Sequence, residues 1–481
     1  MATAARQQRR PPTELHEAAL YGCPHAMIDL LDGPARIDID RGTPTGSTPI
    51  MLAAQEGRSE IVRILLDYGA NISIKAQRGF TVLHIAAQQG HLPVVVELVN
   101  ARAEVDARND NDDRALHLAA MNGHVEVVTT LIKAGAHLEA ASRPGFTPLH
   151  ISASDGQWEA MQALLAAGAK VDSRLPDGAT PLYLASERGH TNAVRELRRA
   201  KANALLASVN PWGESQVPLD TAALGGHAGV VRELLEKLGG GIKSCGGASG
   251  GVDALRNAAE KGCVDILAML TQAGVVDTGT ALLRAAGLGE TSSVKFLLRQ
   301  RSKGKTSSKT DRASYVNTRH ASGRTPLFCN IMLPYCSPRM VRLLVDAGAD
   351  VTSAFSVSRA GHVFFDDTAL ALATFQLRKK MVNGQPATKE QLDKLGAIRR
   401  LLLTVEAAHA VSWLWPTSEN DDLRNTRAEE ECHDSATAPS AQLTAMLPIM
   451  RRRVGRRGVL LSALFRWAVV SGGCGMVDSL C

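Results

Sequence analysis

The sequence predicts an all-α fold, a solenoid of stacked helix–turn–helix units carrying β-turn or hairpin fingers. Three observations predict it. A phrase returns at a constant interval of 33 residues, at Thr48-Pro49-Ile50, Thr81-Val82-Leu83-His84, Arg114-Ala115-Leu116-His117, Thr147-Pro148-Leu149-His150 and Thr180-Pro181-Leu182. Nine residues after each phrase start stands a glycine: Gly57, Gly90, Gly123, Gly156 and Gly189. Between these landmarks lie small pairs (Ala53-Ala54, Ala86-Ala87, Ala119-Ala120) and apolar residues at helical spacing, such as Ile61, Ile64 and Leu65. A fixed period of this length means an array of like units.

Each element of the unit has a physical reason. Thr can cap a helix and Pro is tolerated in its first turn, where the missing N–H costs nothing. The alanine pair lets a second helix approach closely. Glycine ends the first helix because it takes positive φ without a Cβ penalty. The second helix, with Val127, Val128, Leu131 and Ile132 on one stripe, closes on pairs such as Gly135-Ala136 or Gly168-Ala169. One such helix pair cannot bury its apolar face alone, so stacking on neighbours supplies the core. Arg102 and Lys201 occupy the place of the closing glycine; left-handed backbone there predicts a locally looser joint.

Thr147-Pro148-Leu149-His150, Leu164-Leu165 and Gly168-Ala169, recurring in phase, resemble the ankyrin repeat. The resemblance covers residues 13–348 closely and 350–416 loosely. Phrase starts at 13, 48, 81, 114, 147, 180, 217, 253, 280, 325 and 368 give about eleven units, degenerate after 320.

Along the chain, residues 1–12 are basic and apolar-poor and are expected to be a disordered lead-in. The array occupies 13–416. It is interrupted by a Gly/Ser-rich finger at 239–251, by an insertion at 299–324 with eight Lys/Arg against the single acid Asp311, and by an expected hairpin around Phe355 to Phe365. The basic insertion reads as a solvated loop between units. A long helix from about Lys389 to His409 is expected to seal the stack. Residues 417–445 are acidic and apolar-poor, a disordered linker. The tail, 446–481, sets Arg451, Arg452, Arg453, Arg456 and Arg457 before an apolar run of about a dozen residues, too short for the roughly 20 needed to span a bilayer. That tail fits an interfacial helix on anionic lipid, a nuclear import signal, a phosphate contact or a helix packed on the last unit.

Composition excludes several classes. The net charge of +6 over 481 residues is too mild to argue for nucleic acid, and the eight cysteines contain no C-x-x-C pair for zinc. His84, His117 and His150 sit at one repeat position, so they read as ties between units rather than as catalytic bases. His91, His124, His190 and His227, each following a glycine, read the same way. Gly246 to Gly251 lacks the Lys of a phosphate loop. The reading is therefore no enzyme, no cofactor, no metal and no small-molecule substrate. A cytoplasmic monomer is expected.

The resemblance implies contact residues on a concave face, at the ends of first helices and in the fingers. The helix-end positions are Gln55, Glu56, Gln88, Gln89, Met121, Asn122, Ser154, Asp155, Glu187 and Arg188. The finger positions are Gln77, Arg78, Phe80, Asp110, Asn111, Asp113, Arg143, Phe146 and Asp177. These differ from unit to unit while the scaffold letters do not. They predict a protein-binding scaffold or adaptor. Two alternatives are an adaptor acting at a membrane surface or in the nucleus through the Arg-rich tail, and a substrate adaptor of a ubiquitin ligase.

Overall fold

The computed structural model describes residues 14–34, 37–210, 213–236, 250–303, 309–320, 323–331, 337–351, 355–359, 362–367, 373, 381–382, 385–386 and 388–414. The lead-in, the linker, the Arg-rich tail with Arg451 to Arg457, and most of the Gly/Ser-rich finger lie outside these residues. The chain divides into two compact units, 1–276 and 277–481.

The first unit consists of helix pairs. α1 (Glu14–Tyr21) pairs with α2 (Pro24–Asp32), α3 (Pro49–Gln55) with α4 (Ser59–Asp67), α5 (Val82–Gln89) with α6 (Leu92–Asn100), and α7 (Ala115–Met121) with α8 (Val125–Lys133). α9 (Pro148–Ser154) and α10 (Trp158–Ala166), then α11 (Pro181–Arg188) and α12 (Thr191–Arg199), complete the regular block. A short hairpin, β1 (Ser208–Val209) with β2 (Ser215–Gln216), precedes α13 (Pro218–Gly225) and α14 (Ala228–Glu236), then α15 (Val252–Glu260) and α16 (Val264–Gln272). First helices stack on first helices and second on second, with Ala53, Ala54, Ala86, Ala87, Ala119 and Ala120 fully buried between them.

The caps follow the predicted chemistry. The Thr81, Thr147 and Thr180 hydroxyls accept the N–H three residues on, at 3.4, 3.4 and 3.2 Å. Thr48 makes no such bond, and Pro49 begins its helix without it. At the phrase start Thr280 the cap is different. Gly279 occupies the cap with φ 105°, and the Asp277 carboxylate accepts from Gly279, Ala281 and Leu282 at 2.9–3.2 Å.

Arg102 and Lys201 do adopt left-handed backbone, with φ of 61° and 64°. The same two hydrogen bonds close there as at Gly69: Arg102 N–H to Val99 O and Ala103 N–H to Leu98 O, against Gly69 N–H to Leu66 O and Ala70 N–H to Leu65 O. The motif is intact, so the departure appears as backbone strain and not as lost hydrogen bonds. Arg102→Gly and Lys201→Gly are each expected to stabilise by about 0.5–1 kcal/mol, relief of strain offset by the backbone entropy of glycine. Urea midpoints equal to or below that of the parent would contradict this.

The second unit contains α17 (Thr280–Leu288), α18 (Thr291–Lys303), α19 (Lys309–Val316), α20 (Pro326–Ile331), α21 (Pro338–Asp346) and α22 (Lys389–Leu414). It also holds the hairpin β3 (Phe355–Arg359) with β4 (His362–Asp367), paired Val357 to Phe364 and Arg359 to His362, and a smaller one, β5 (Met381–Val382) with β6 (Gln385–Pro386). The basic stretch 299–324 is not simply the solvated loop expected from its charge. Helix α18 runs through Arg299 and Arg301 to Lys303, and α19 buries Tyr315 and Val316. The Tyr315 hydroxyl donates to Asp277 at 2.7 Å, and the Arg301 guanidinium lies 5.3 Å from the Tyr315 ring centre. Burial beside that carboxylate drives the Tyr315 phenol well above its usual range. On α22 the stripe Leu395, Ile398, Leu402 and Leu403 is buried. No helix among the described residues is long and apolar enough to cross a membrane.

Candidate interaction face

Two sets of histidines fix the geometry of the face that the helix ends and fingers form in the first unit. In the first set, Nδ1 of His84, His117 and His150 accepts the N–H of Thr81, Arg114 and Thr147, at 3.1–3.3 Å. Their Nε2–H groups donate to Asp113 O, Ala140 O and Ser173 O, in the stretch that leads from the second helix of the same unit to the next phrase, at 2.9–3.1 Å. A carbonyl can only accept, so the proton sits on Nε2 and the imidazoles are neutral. Burial lowers all three, His150 to about 4.

The second set ties down the helix ends themselves. His91, His124, His190 and His227 donate from Nε2 to the carbonyls of Gln55, Gln88, Ser154 and Glu187, one unit back, at 2.9–3.0 Å. Each bonded residue is a predicted contact position. The histidines thereby hold the backbone of the helix ends while leaving side chains outward. Gln157 stands where the others have His, its side chain filling the space next to Gly123.

The fingers are laddered. Gln77 N–H donates to Thr45 O, Asp110 N–H to Arg78 O, Arg143 N–H to Asn111 O and Val209 N–H to Asp177 O, at 2.9–3.0 Å. The rung due between the third and fourth of these falls on Pro176, which has no N–H to give. A further set of ties was not anticipated from the sequence. Asp40, Asp106, Glu139 and Asp172 each accept a backbone N–H of the next unit, from Asn71, His137, Lys170 and Asn203, at 2.7–3.2 Å. Three of these acids keep the 33-residue interval, which was the available signal.

The predicted contact residues divide on this frame. Gln55, Glu56, Gln77, Arg78, Gln89, Asp110, Asn111, Asn122, Arg143, Asp155, Asp177, Glu187 and Arg188 are exposed; Gln88, Met121 and Ser154 are half-buried. Phe80, Asp113 and Phe146 are drawn inward. Phe80 leans on the His84 ring at 5.7 Å, and Phe146 meets the His150 ring edge-on at 6.2 Å while packing on Leu175, Ala179, Tyr183 and Leu184. The Asp113 carboxylate accepts from Asn109 Nδ2 at 3.2 Å, inside its own turn. These three serve the frame. Among the exposed set Arg143 pairs with Asp112 at 2.7 Å, and partial burial raises the Asp155 carboxyl against the opposing pull of Arg188. Among the described residues no cluster of three or more His, Cys, Asp or Glu could hold a metal ion.

The family model for ankyrin repeats matches this chain in three copies, over residues 15–109, 98–175 and 159–245. Residues 15–245 are an array of ankyrin repeats. Ankyrin repeats are in general protein–protein interaction modules and typically non-catalytic scaffolds. The crystal structure of the human ASB11 ankyrin repeat domain is similar, with 24% identity, a TM-score of 0.40, and coverage of 44% of this chain and 92% of that one. A comparison with curated proteins returned no match.

Proposed function

We propose that this ankyrin-repeat chain is a non-catalytic scaffold that binds a protein partner on the helix-end and finger face of its first unit, as a monomer in the cytoplasm. The observation that carries the reading is the contrast within single residues. The backbones of Gln55, Gln88, Ser154 and Glu187 are tethered by histidines, while the side chains at and next to them differ from unit to unit. Tethered backbone lowers the ordering cost of binding, and varied side chains carry specificity. Both signs of charge occur on the face, which suits a folded protein or peptide better than a polyanion.

The test uses three baits of the full chain. One is the parent. One carries Gln88, Gln89, Met121, Asn122, Ser154 and Asp155 changed to Ala. The third carries Glu126→Ala and Glu159→Ala on the exposed sides of second helices α8 and α10. Captured partner is expected to fall roughly tenfold or more with the helix-end bait alone, since a few contact residues dominate binding energy. Equal capture by all three would overturn the assignment.

A further inference from the structure

The third residue of four first helices bonds the start of its own helix through a polar side chain. In α5, α7 and α9 it is an imidazole that accepts an N–H at its own helix start and donates to a carbonyl in the stretch closing its unit. In α13 it is Asp220. Its Oδ2 accepts the Val217 N–H at 3.1 Å, in the manner of imidazole Nδ1. Its Oδ1, the counterpart of Nε2, is buried in a residue only 3% exposed and makes no hydrogen bond of ordinary geometry, the Ala254 N–H of α15 giving the carboxyl only a minor pull toward its charged form. A carboxylate has no donor, whereas the neutral acid carries one, as the imidazoles do.

The surroundings do not neutralise the charge. On α15, packed against α13, the charged groups are Asp253, Arg256 and Glu260; Asp253 and Arg256 pair with each other at 3.3 Å, and Arg256 lowers the Asp220 carboxyl by less than burial raises it. On α11 the titratable neighbour is Tyr183, whose hydroxyl lies by Thr221 and Ser208. On α14, Arg232 pairs with Glu236 and Glu233 with Arg195 of α12. His227, at the head of α14, is engaged with Glu187 O, and β2 holds no titratable residue. An unpartnered carboxylate in such a place is costly, and protonation removes the cost.

We propose that the contact between α13 and α15 is a protonation-controlled joint, tight while Asp220 is a neutral acid and loosened when it ionises, so that the stiffness of this part of the array follows pH across neutrality. Burial first, and then the charge of Asp253, raise Asp220 from 3.8 to about 7. A carboxyl raised on folding contributes stability that is full below its unfolded value and is lost as pH rises through about 7.

Amide hydrogen exchange of the full chain at about pH 6 and about pH 8, with the intrinsic pH dependence of exchange divided out, tests this. Protection of α13 and α15 is expected to fall about tenfold across that interval in the parent. No such fall is expected in Asp220→Asn or Asp220→His, and α7 and α9, whose lowered imidazoles cost stability only below about 6.5, should not lose protection from pH 6 to pH 8 in any of the three. Should Asp220→Asn fail to fold, Asp220→His restores the residue used by the neighbouring units. In the parent, infrared absorption of one protonated carboxyl should be present near pH 6 and gone near pH 8. Level protection in the parent, an equal fall in the variants, or no such absorption would each overturn the proposal.

Discussion

Acidification from about pH 7 to about pH 4.5 is expected to remove several kcal/mol of stability from the first unit, because its buried histidine ties require neutral imidazoles. Protonated Nδ1 would turn a second donor toward the N–H of Thr81, Arg114 or Thr147, which now donates to it. For His150 the folded value, about 4, lies below the ordinary 6.5. Its contribution is therefore complete above 6.5 and is lost as pH falls toward 4, which amounts to roughly 3 kcal/mol. His16, His84 and His117 shift in the same direction, all by burial. Asp220 works against them, gaining stability as pH falls through about 7, so the cleanest background is Asp220→Asn. Thermal melts of that variant at successive pH values should show the transition falling steadily below pH 6.5. A melting temperature level down to about pH 4.5 would contradict the buried neutral imidazoles.

Gly156→Ala is expected to destabilise by about 2–4 kcal/mol. Gly156 has φ +73°, and a Cβ there would lie 2.5 Å from Nδ1 of His190. Left-handed backbone alone costs a substituted residue about 1–2 kcal/mol. The ring has little freedom to retreat, because its Nε2 is bonded to Ser154 O at 2.9 Å. Relief of the clash breaks that tie and releases the helix end that displays Ser154 and Asp155. The variant should thus lose partner binding beyond its loss of stability. Gly135→Ala is the comparison, with similar φ of +88° and nothing within 4 Å of the added methyl. It is expected to show the backbone strain alone. Equal urea midpoints for the two variants would remove the clash from the account.

Much of this frame is legible in the letters. The 33-residue phrase places the helices, and the glycine nine residues on marks a left-handed turn that is found at Gly57, Gly90, Gly123, Gly156 and Gly189. Ties between units, expected of both histidine columns, are found for His91, His124, His190 and His227. His84, His117 and His150 instead bond Asp113, Ala140 and Ser173 inside their own units and lock each first helix to the loop after its second. What escapes the sequence is less periodic or ambiguous in composition. Arg299 to Arg324 looks solvated because its charge hides the apolar pair Tyr315-Val316, whose burial depends on the distant Asp277. Phe80 and Phe146 stand at finger positions that favour contact, yet each finds a histidine ring in its own unit, four residues on. Asp220 differs by one letter from the histidine column, and the missing partner of its Oδ1 emerges only from three-dimensional packing.

Site-specific photocrosslinking in the native cell distinguishes the helix-end face from the second-helix face as the binding surface. A photoreactive side chain is placed in turn at Gln89 and Asp155, on the helix ends, and at Glu126 and Glu159, on the second helices. All four positions are exposed, so the chain should fold with each. A covalent adduct with one protein partner is expected from Gln89 and Asp155, and none from Glu126 and Glu159. Adducts from the second helices alone, or equally from all four positions, would contradict that.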